Sequence, residues 1–396
     1  RQAETRPVRR PMRRSGRLCA CEETGYDISM KDVSSSLGWI GPGCAPLDPG
    51  THGDKAAWLS RAAALGAPVP PAVVLPPEAV SALREAPAGL ASAVAPIEAA
   101  SGLGFGEPAR PLLLSMRASI AGSGGVAPAI LDLGVTERTL PGLAATLGLR
   151  AAQDLYRRLV HSFGSGALGI ASEEFEFAVH DALKAEGVET EAQLSTEALA
   201  RLSATCLELI AAEGKQFPQD AEAQLALAVW AMAAAWEAPR ARMRRAARGQ
   251  DPDAPLSLIL QQMVLGLGEG VCGAGLADMR DEATGARMLT GRYLPQAQGE
   301  EALMGLRPPM VLTAGERRRR DLPGPSLEEE APAVVARLAD LGQTVEHGLG
   351  DAFTMEFTVS GGVVHLLELR PARRSARAAV RMAVEPKNKS EEDKLG

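Results

Sequence analysis

The 396-residue sequence is short of three things. No apolar run approaches the roughly 18 residues of a membrane span, so no transmembrane helix and no membrane partner are expected, and the chain reads as soluble. Positive charge is not in excess. With 42 Lys and Arg against 49 Asp and Glu, the net charge is −7, whereas a general nucleic-acid binder needs a basic field to displace counter-ions from phosphates. Cysteine is sparse: Cys19, Cys21, Cys44, Cys206 and Cys272 are odd in number and scattered. That is no disulfide framework, and it makes a reducing, cytoplasmic compartment the default.

What is present is an ordinary globular composition, 46% hydrophobic and 23% charged, on a length that allows two or three subdomains around a sizeable core. Only the ends look unpacked. Residues 1–50 open with Arg1, Arg6, Arg9, Arg10, Arg13, Arg14 and Arg17, then run through Ser34-Ser35-Ser36 to a Pro/Gly-rich approach to Gly50. Such a segment cannot bury enough apolar surface to order itself and is expected to be a flexible tail. An Arg-rich, acid-poor start also fits an organelle transit segment, the alternative to a cytoplasmic location, and Met12 or Met30 are then candidate starts. A second, charged tail is expected over 387–396.

The stretch that organises the chain is Thr354-Met355-Glu356-Phe357-Thr358-Val359, a Ser360-Gly361-Gly362 turn, and Val363-Val364-His365-Leu366-Leu367-Glu368-Leu369-Arg370. Two β-branched, apolar arms around a glycine-rich break predict a β-hairpin. A three-residue loop pairs Val359 with Val363, sets Thr354 opposite Glu368, and turns Glu356, Glu368 and Arg370 to one face. A two-residue loop would split the two glutamates between faces. Two carboxylates and an arginine on an otherwise apolar strand surface suit a divalent cation and a phosphate chain, because hard Mg²⁺ takes oxygen ligands shared with phosphate. A solvated sheet face with a surface ion pair is the competing reading.

Earlier in the chain, Asp54 is placed to cap a helix whose apolar stripe is Trp58, Leu59, Ala62 and Ala63, ending at Gly66 before Pro68. Lys55 falls in its first turn, where a cation is unfavourable unless an anion binds there; a solvated lysine is the alternative. Pro111 to Arg117 reads as a buried strand ending in a cation, followed by a glycine-rich loop over 118–128. Residues 136–214 are helical by periodicity, with Leu155, Tyr156, Leu159, Phe175 and Phe177 as core markers. A further helix over 221–237 buries Leu225, Val229, Met232 and Trp236, while Arg242, Arg244 and Arg245 read as a solvated face. Leu258 to Gly266 predicts a strand. Gly268-Glu269-Gly270-Val271-Cys272-Gly273 spells a dinucleotide fingerprint, but 274–279 continue as strand rather than helix, so it is a hairpin turn. Ser326 with Glu329 forms a capping box that opens a helix through Leu341.

These segments resemble, in order, the nucleotide-binding domain of the pyruvate, phosphate dikinase and phosphoenolpyruvate synthase family. Gly53-Asp54-Lys55-Ala56 with Leu65-Gly66-Ala67-Pro68-Val69-Pro70 is similar to its Gly-Gly-Lys-Gly helix and Leu-Gly-x-Pro-x-Pro. Pro111-Leu112-Leu113-Leu114-Ser115-Met116-Arg117 is similar to Pro-Leu-Leu-Val-Ser-Val-Arg, and Gly291-Arg292-Tyr293-Leu294-Pro295-Gln296-Ala297-Gln298-Gly299-Glu300-Glu301 to Gly-Glu-Tyr-Leu-Ile-Asn-Ala-Gln-Gly-Glu-Asp. The hairpin resembles Asp-x-Glu … Gln-x-Arg, with Thr354 for the Asp and Glu368 for the Gln, as though the second carboxylate had crossed to the partner strand. The glycine-rich loop departs most, lacking the family's second arginine and its Met-Pro-Gly-Met-Met core.

The resemblance implies an α+β, ATP-grasp fold with a helical insertion: a first subdomain over 51–135, the insertion over 136–216, and the remainder over 217–386. It implies ATP and Mg²⁺ as ligands. Lys55, Arg117 and Arg370 are then phosphate contacts, with Arg117 and Arg370 catalytic; Gln261, Met263 and Val264 line the base; Glu300 and Glu301 face ribose or metal; Glu356 and Glu368 hold the metal. The chain has no counterpart of the family's phosphohistidine or pyruvate domains, and none of its five histidines lies in the matching context. The implied function is the ATP half of a phosphotransferase, a kinase delivering phosphoryl to a histidine on a separate partner. The alternative is a degenerate relative kept as a nucleotide sensor or structural subunit.

Overall fold

The computed structural model describes residues 36–122, 129–298 and 308–384. In chain order its strands are β1 (Gly38–Ile40), β2 (Ala72–Leu75), a short parallel pair β3 (Gly104–Phe105) and β4 (Pro111–Leu112), β5 (Leu114–Ser119), β6 (Ala129–Leu133), β7 (Ser257–Gln262), β8 (Gly273–Arg280), β9 (Arg287–Pro295), β10 (Met310–Val311), β11 (Phe353–Ser360) and β12 (Val363–Pro371). They form two antiparallel five-stranded sheets, ordered β1-β2-β7-β5-β6 and β10-β9-β8-β11-β12. The mixed α+β class expected from the sequence is observed.

Two cores hold these sheets. The first packs β2, β5, β6 and β7 against helices, using Leu155, Leu159, Phe163, Phe175 and Leu225 from the long helical stretch between β6 and β7. The second packs one face of the other sheet, through Met355, Phe357, Leu366 and Leu369, against Leu59 of the helix Asp54–Ala64 and Leu338 and Val345 of the helix Pro332–Leu349. Because strand side chains alternate, Thr354, Glu356 and Thr358 are left on the opposite face. The glycine-rich stretch before β8 leads into a strand and not a helix, as its sequence implies.

Several expectations need correction. Residues 1–35 of the expected tail lie outside the described residues, and 36–50 are not a tail: Gly38, Trp39 and Ile40 pair with Val74, Val73 and Ala72, and Ile40 is fully buried. Phe177 is 67% exposed while Phe175 is buried, since positions two apart on a helix lie on nearly opposite sides. Arg245 is no solvated residue; its guanidinium sits 3.8 Å over the Trp236 ring and donates to the Trp236 and Pro252 carbonyls. The strand from Leu258 ends at Gln262. The Ser326–Glu329 capping box is present, but its helix stops at Glu330 and a second begins at Pro332.

Phe357 is fully buried in the second core. Phe357→Ala is expected to cost about 3–5 kcal/mol in denaturant unfolding, whereas Phe177→Ala stays within about 0.5 kcal/mol.

Candidate functional site

The N-terminus of the Asp54–Ala64 helix is clamped to the end of β5. Gly53 has φ of +80°, and a Cβ there would lie 2.3 Å from the Ser119 carbonyl carbon, so the close approach requires glycine. The Ala56 amide donates to Ser119 Oγ at 3.1 Å and the Asp54 amide to the Ile120 carbonyl at 3.3 Å. Asp54 is not the cap. Gly53 occupies that position, and the Asp54 carboxylate instead accepts from the Gly122 amide at 3.0 Å. Two amides of the first turn are thus already used by protein acceptors. The clamp also fixes Lys55 relative to Arg117, two residues before Ser119.

The hairpin reaches the expected facing by a different route. Ser360 pairs with Val363, so the loop is the two residues Gly361 and Gly362. Phe357 pairs with Leu366 and Glu356 with Glu368, which leaves Leu367 as an extra residue. This β-bulge flips the parity of β12 and returns Glu368 and Arg370 to the face of Glu356. Its backbone is satisfied from outside the sheet: the Leu366 amide donates to the Pro68 carbonyl at 3.0 Å, and Arg117 Nη1 donates to the Leu367 carbonyl at 3.2 Å. The expected pairing of Thr354 with Glu368 is overturned. Thr354 pairs with Arg370, and its hydroxyl donates to Asp278 on the adjacent β8. Glu368 therefore does not stand across from the position where the family carries aspartate.

Five of the residues singled out in the sequence meet here. Lys55 Nζ is 2.9 Å from Glu368 Oε1, Arg117 Nη1 is 3.5 Å from Glu368 Oε2, and Arg370 Nε donates to Glu368 Oε1 at 2.7 Å. Arg370 Nη2 also donates to Glu356 Oε2 at 3.0 Å. Burial works against ionisation of Glu368, but Lys55, Arg117 and Arg370 more than reverse it and hold its carboxyl down to about 2. Glu356 goes the other way: burial pushes it up, Glu368 adds to this, and Arg117, Arg370 and Lys55 only partly offset it.

The remaining expected residues are not gathered with these. Gln261 is buried in the first sheet, its amide donating to the Pro70 carbonyl at 3.3 Å. Met263 and Val264 follow β7 and are half-buried, the Met263 sulfur accepting from the Asp132 amide. Glu300 and Glu301 lie outside the described residues. Asp278 was not anticipated; its signal was an acid inside an otherwise apolar strand. A cleft of about 730 Å³ opens elsewhere, between β8, β9 and the two helices Pro332–Leu349 and Ala376–Val384, and none of the five charged residues lines it.

Among the described residues no three His, Cys, Asp or Glu side chains gather as a ready metal cluster. Mg²⁺ does not require one, since it is held by one or two carboxylates together with phosphate oxygens and water. Glu356 and Glu368, directly paired across the strands, meet that requirement. Thr358, fully buried on the same face, has a hydroxyl without a hydrogen-bond partner. The residues present therefore fit a magnesium polyphosphate.

The low carboxyl of Glu368 carries a pH signature. Its folded value lies below the ordinary 4.5, so its contribution to stability is full above that value and is lost as pH falls towards 2. In a Glu356→Gln background, which removes the neighbouring titration, unfolding stability is expected to drop between about pH 5 and pH 2. The drop should exceed that of the Glu356→Gln/Glu368→Gln double variant by about 3 kcal/mol. Equal slopes would show that Glu368 is not held by the three cations.

No protein-family model matches the chain. Among curated proteins it is 31% identical over 347 residues to "Pyruvate, phosphate dikinase" of Rhizobium meliloti, covering 84% of this chain and 38% of that protein. It is 31% identical over 346 residues to "Pyruvate, phosphate dikinase 2" of Zea mays, covering 85% and 38%. It is also 31% identical over 343 residues to "Pyruvate, phosphate dikinase 1, chloroplastic" of Arabidopsis thaliana, covering 84% and 34%. The chain spans little more than a third of the length of these relatives. Over most of its own length it is thus a divergent homologue of part of the pyruvate, phosphate dikinases.

Proposed function

We propose that this chain is an ATP-grasp nucleotide-binding unit that takes Mg-ATP between its two sheets and serves as the ATP half of a dikinase-type phosphotransferase. The observation that carries this reading is the convergence of Lys55, Arg117, Glu356, Glu368 and Arg370, drawn from three separate stretches of sequence, on one buried point. Phosphoryl transfer asks mostly for positioning and charge neutralisation. Lys55 and Arg117 would hold phosphate oxygens, and Arg370 would bind and orient from beside the two glutamates. Glu356 and Glu368 would hold Mg²⁺, which supplies neutralisation of phosphate charge when bound. Met263 and Val264, just past β7, would lie along the base; Gln261, already bonded to Pro70, would support that edge from beneath.

The acceptor in this reading is a histidine on a separate protein or domain. A binding-only nucleotide sensor is the second reading, favoured by one observation: all three cations are already engaged by Glu368. Incubation with ATP and the partner distinguishes the two, since only the first gives an acid-labile phosphoryl group on the partner.

Mg-ATP at a hundred times its Kd is expected to stabilise the fold by about 2.7 kcal/mol, read as a rise in thermal unfolding temperature; no shift at millimolar Mg-ATP would sink the nucleotide reading. With β- or γ-labelled ATP and no partner, the histidines of this chain are expected to stay unlabelled. Acid-labile label on any histidine of this chain would show that the acceptor lies within it; His365, cross-strand from Thr358, is on the Glu356 face.

A further inference from the structure

We propose that Glu368 is an internal counter-ion that makes polyphosphate binding conditional on a divalent cation, an inference that rests on the nucleotide reading above. Its carboxylate, 3% exposed, occupies the point where Lys55, Arg117 and Arg370 converge. A phosphate chain seeking Lys55 and Arg117 meets donors already engaged by a carboxylate that belongs to the protein.

Displacing that carboxylate without a metal sets three anionic groups close together in a poorly hydrated space: the phosphate, the released Glu368, and Glu356 directly across the strand pair. Arg370, bonded to both glutamates at 2.7 and 3.0 Å, balances only one of them. Buried charge left unbalanced is costly. Glu356 and Glu368 would hold a divalent cation, which would supply the missing positive charge; Glu368 could then give up Lys55 and Arg117 to the phosphate. Glutamine at this position keeps the shape and one acceptor but removes the competing charge, leaving Lys55 and Arg117 available to phosphate alone.

The test uses the chain as it stands, with ATP and inorganic tripolyphosphate as probes, titrated calorimetrically in excess Mg²⁺ and in EDTA. The parent is expected to bind either probe at least about tenfold more weakly in EDTA. Glu368→Gln should bind metal-free tripolyphosphate about ten- to a hundredfold more tightly than the parent, the range of a charge-assisted hydrogen bond, with its advantage from Mg²⁺ reduced. The parent arm does not depend on the variant folding, and circular dichroism checks that it does. Equal parent affinity with and without Mg²⁺ overturns the proposal, as does metal-free affinity in Glu368→Gln no better than the parent's. Binding by neither protein in either condition overturns the nucleotide reading itself, an outcome distinct from binding that ignores the metal.

Discussion

Glu368 stands almost fully buried with cations on both of its oxygens: Lys55 from a helix, Arg117 from the first sheet and Arg370 from its own strand. Neither side of this arrangement is stable alone. A buried carboxylate costs several kcal/mol unless paired, and cations brought to one point repel unless an anion lies between them. The Leu367 bulge makes the meeting possible. With a two-residue turn and no extra residue, Glu368 would point into the apolar face beside Phe357 and Leu366. Arg117 holds the bulge by donating to the Leu367 carbonyl, so the same guanidinium fixes the register and faces the carboxylate.

Much of this was legible because the hairpin arms are strongly patterned and the turn is glycine-rich. The facing of Glu356, Glu368 and Arg370 followed from parity alone, and parity is unchanged by a shift of two residues. The pairing itself was not legible. A two-residue turn plus a bulge and a three-residue turn without one predict the same face but different partners, and the bulge is stabilised by Pro68 and Arg117, residues distant in sequence that no local pattern connects. The same limit explains Arg245, whose place over Trp236 depends on a helix break at Ala238, and Phe177, placed by helix phase rather than by hydrophobicity. The tail boundary failed because β1 is only three residues long and draws its stability from β2.

Asp278 completes the electrostatics of this face. Across β8, β11 and β12 one rung reads Asp278, Thr354, Arg370 and the next Leu276, Glu356, Glu368. Thr354 separates Asp278 from Arg370 and satisfies it with a hydroxyl; burial pushes the Asp278 carboxyl up while that hydrogen bond from Thr354 only partly offsets it. Family aspartate at position 354 would add a carboxylate next to Asp278, and threonine avoids that repulsion.

Charge balance between the sheets then decides what the site accepts. Lys55, Arg117 and Arg370 against Glu356 and Glu368 leave one net positive charge among these five groups. A triphosphate brings more negative charge than that one surplus cation neutralises, and the low dielectric magnifies the difference. In the nucleotide reading, a divalent ion held by Glu356 and Glu368 would supply the deficit. In that reading, glutamate at position 368, where the resemblance has glutamine, would set this point to take phosphate and metal together.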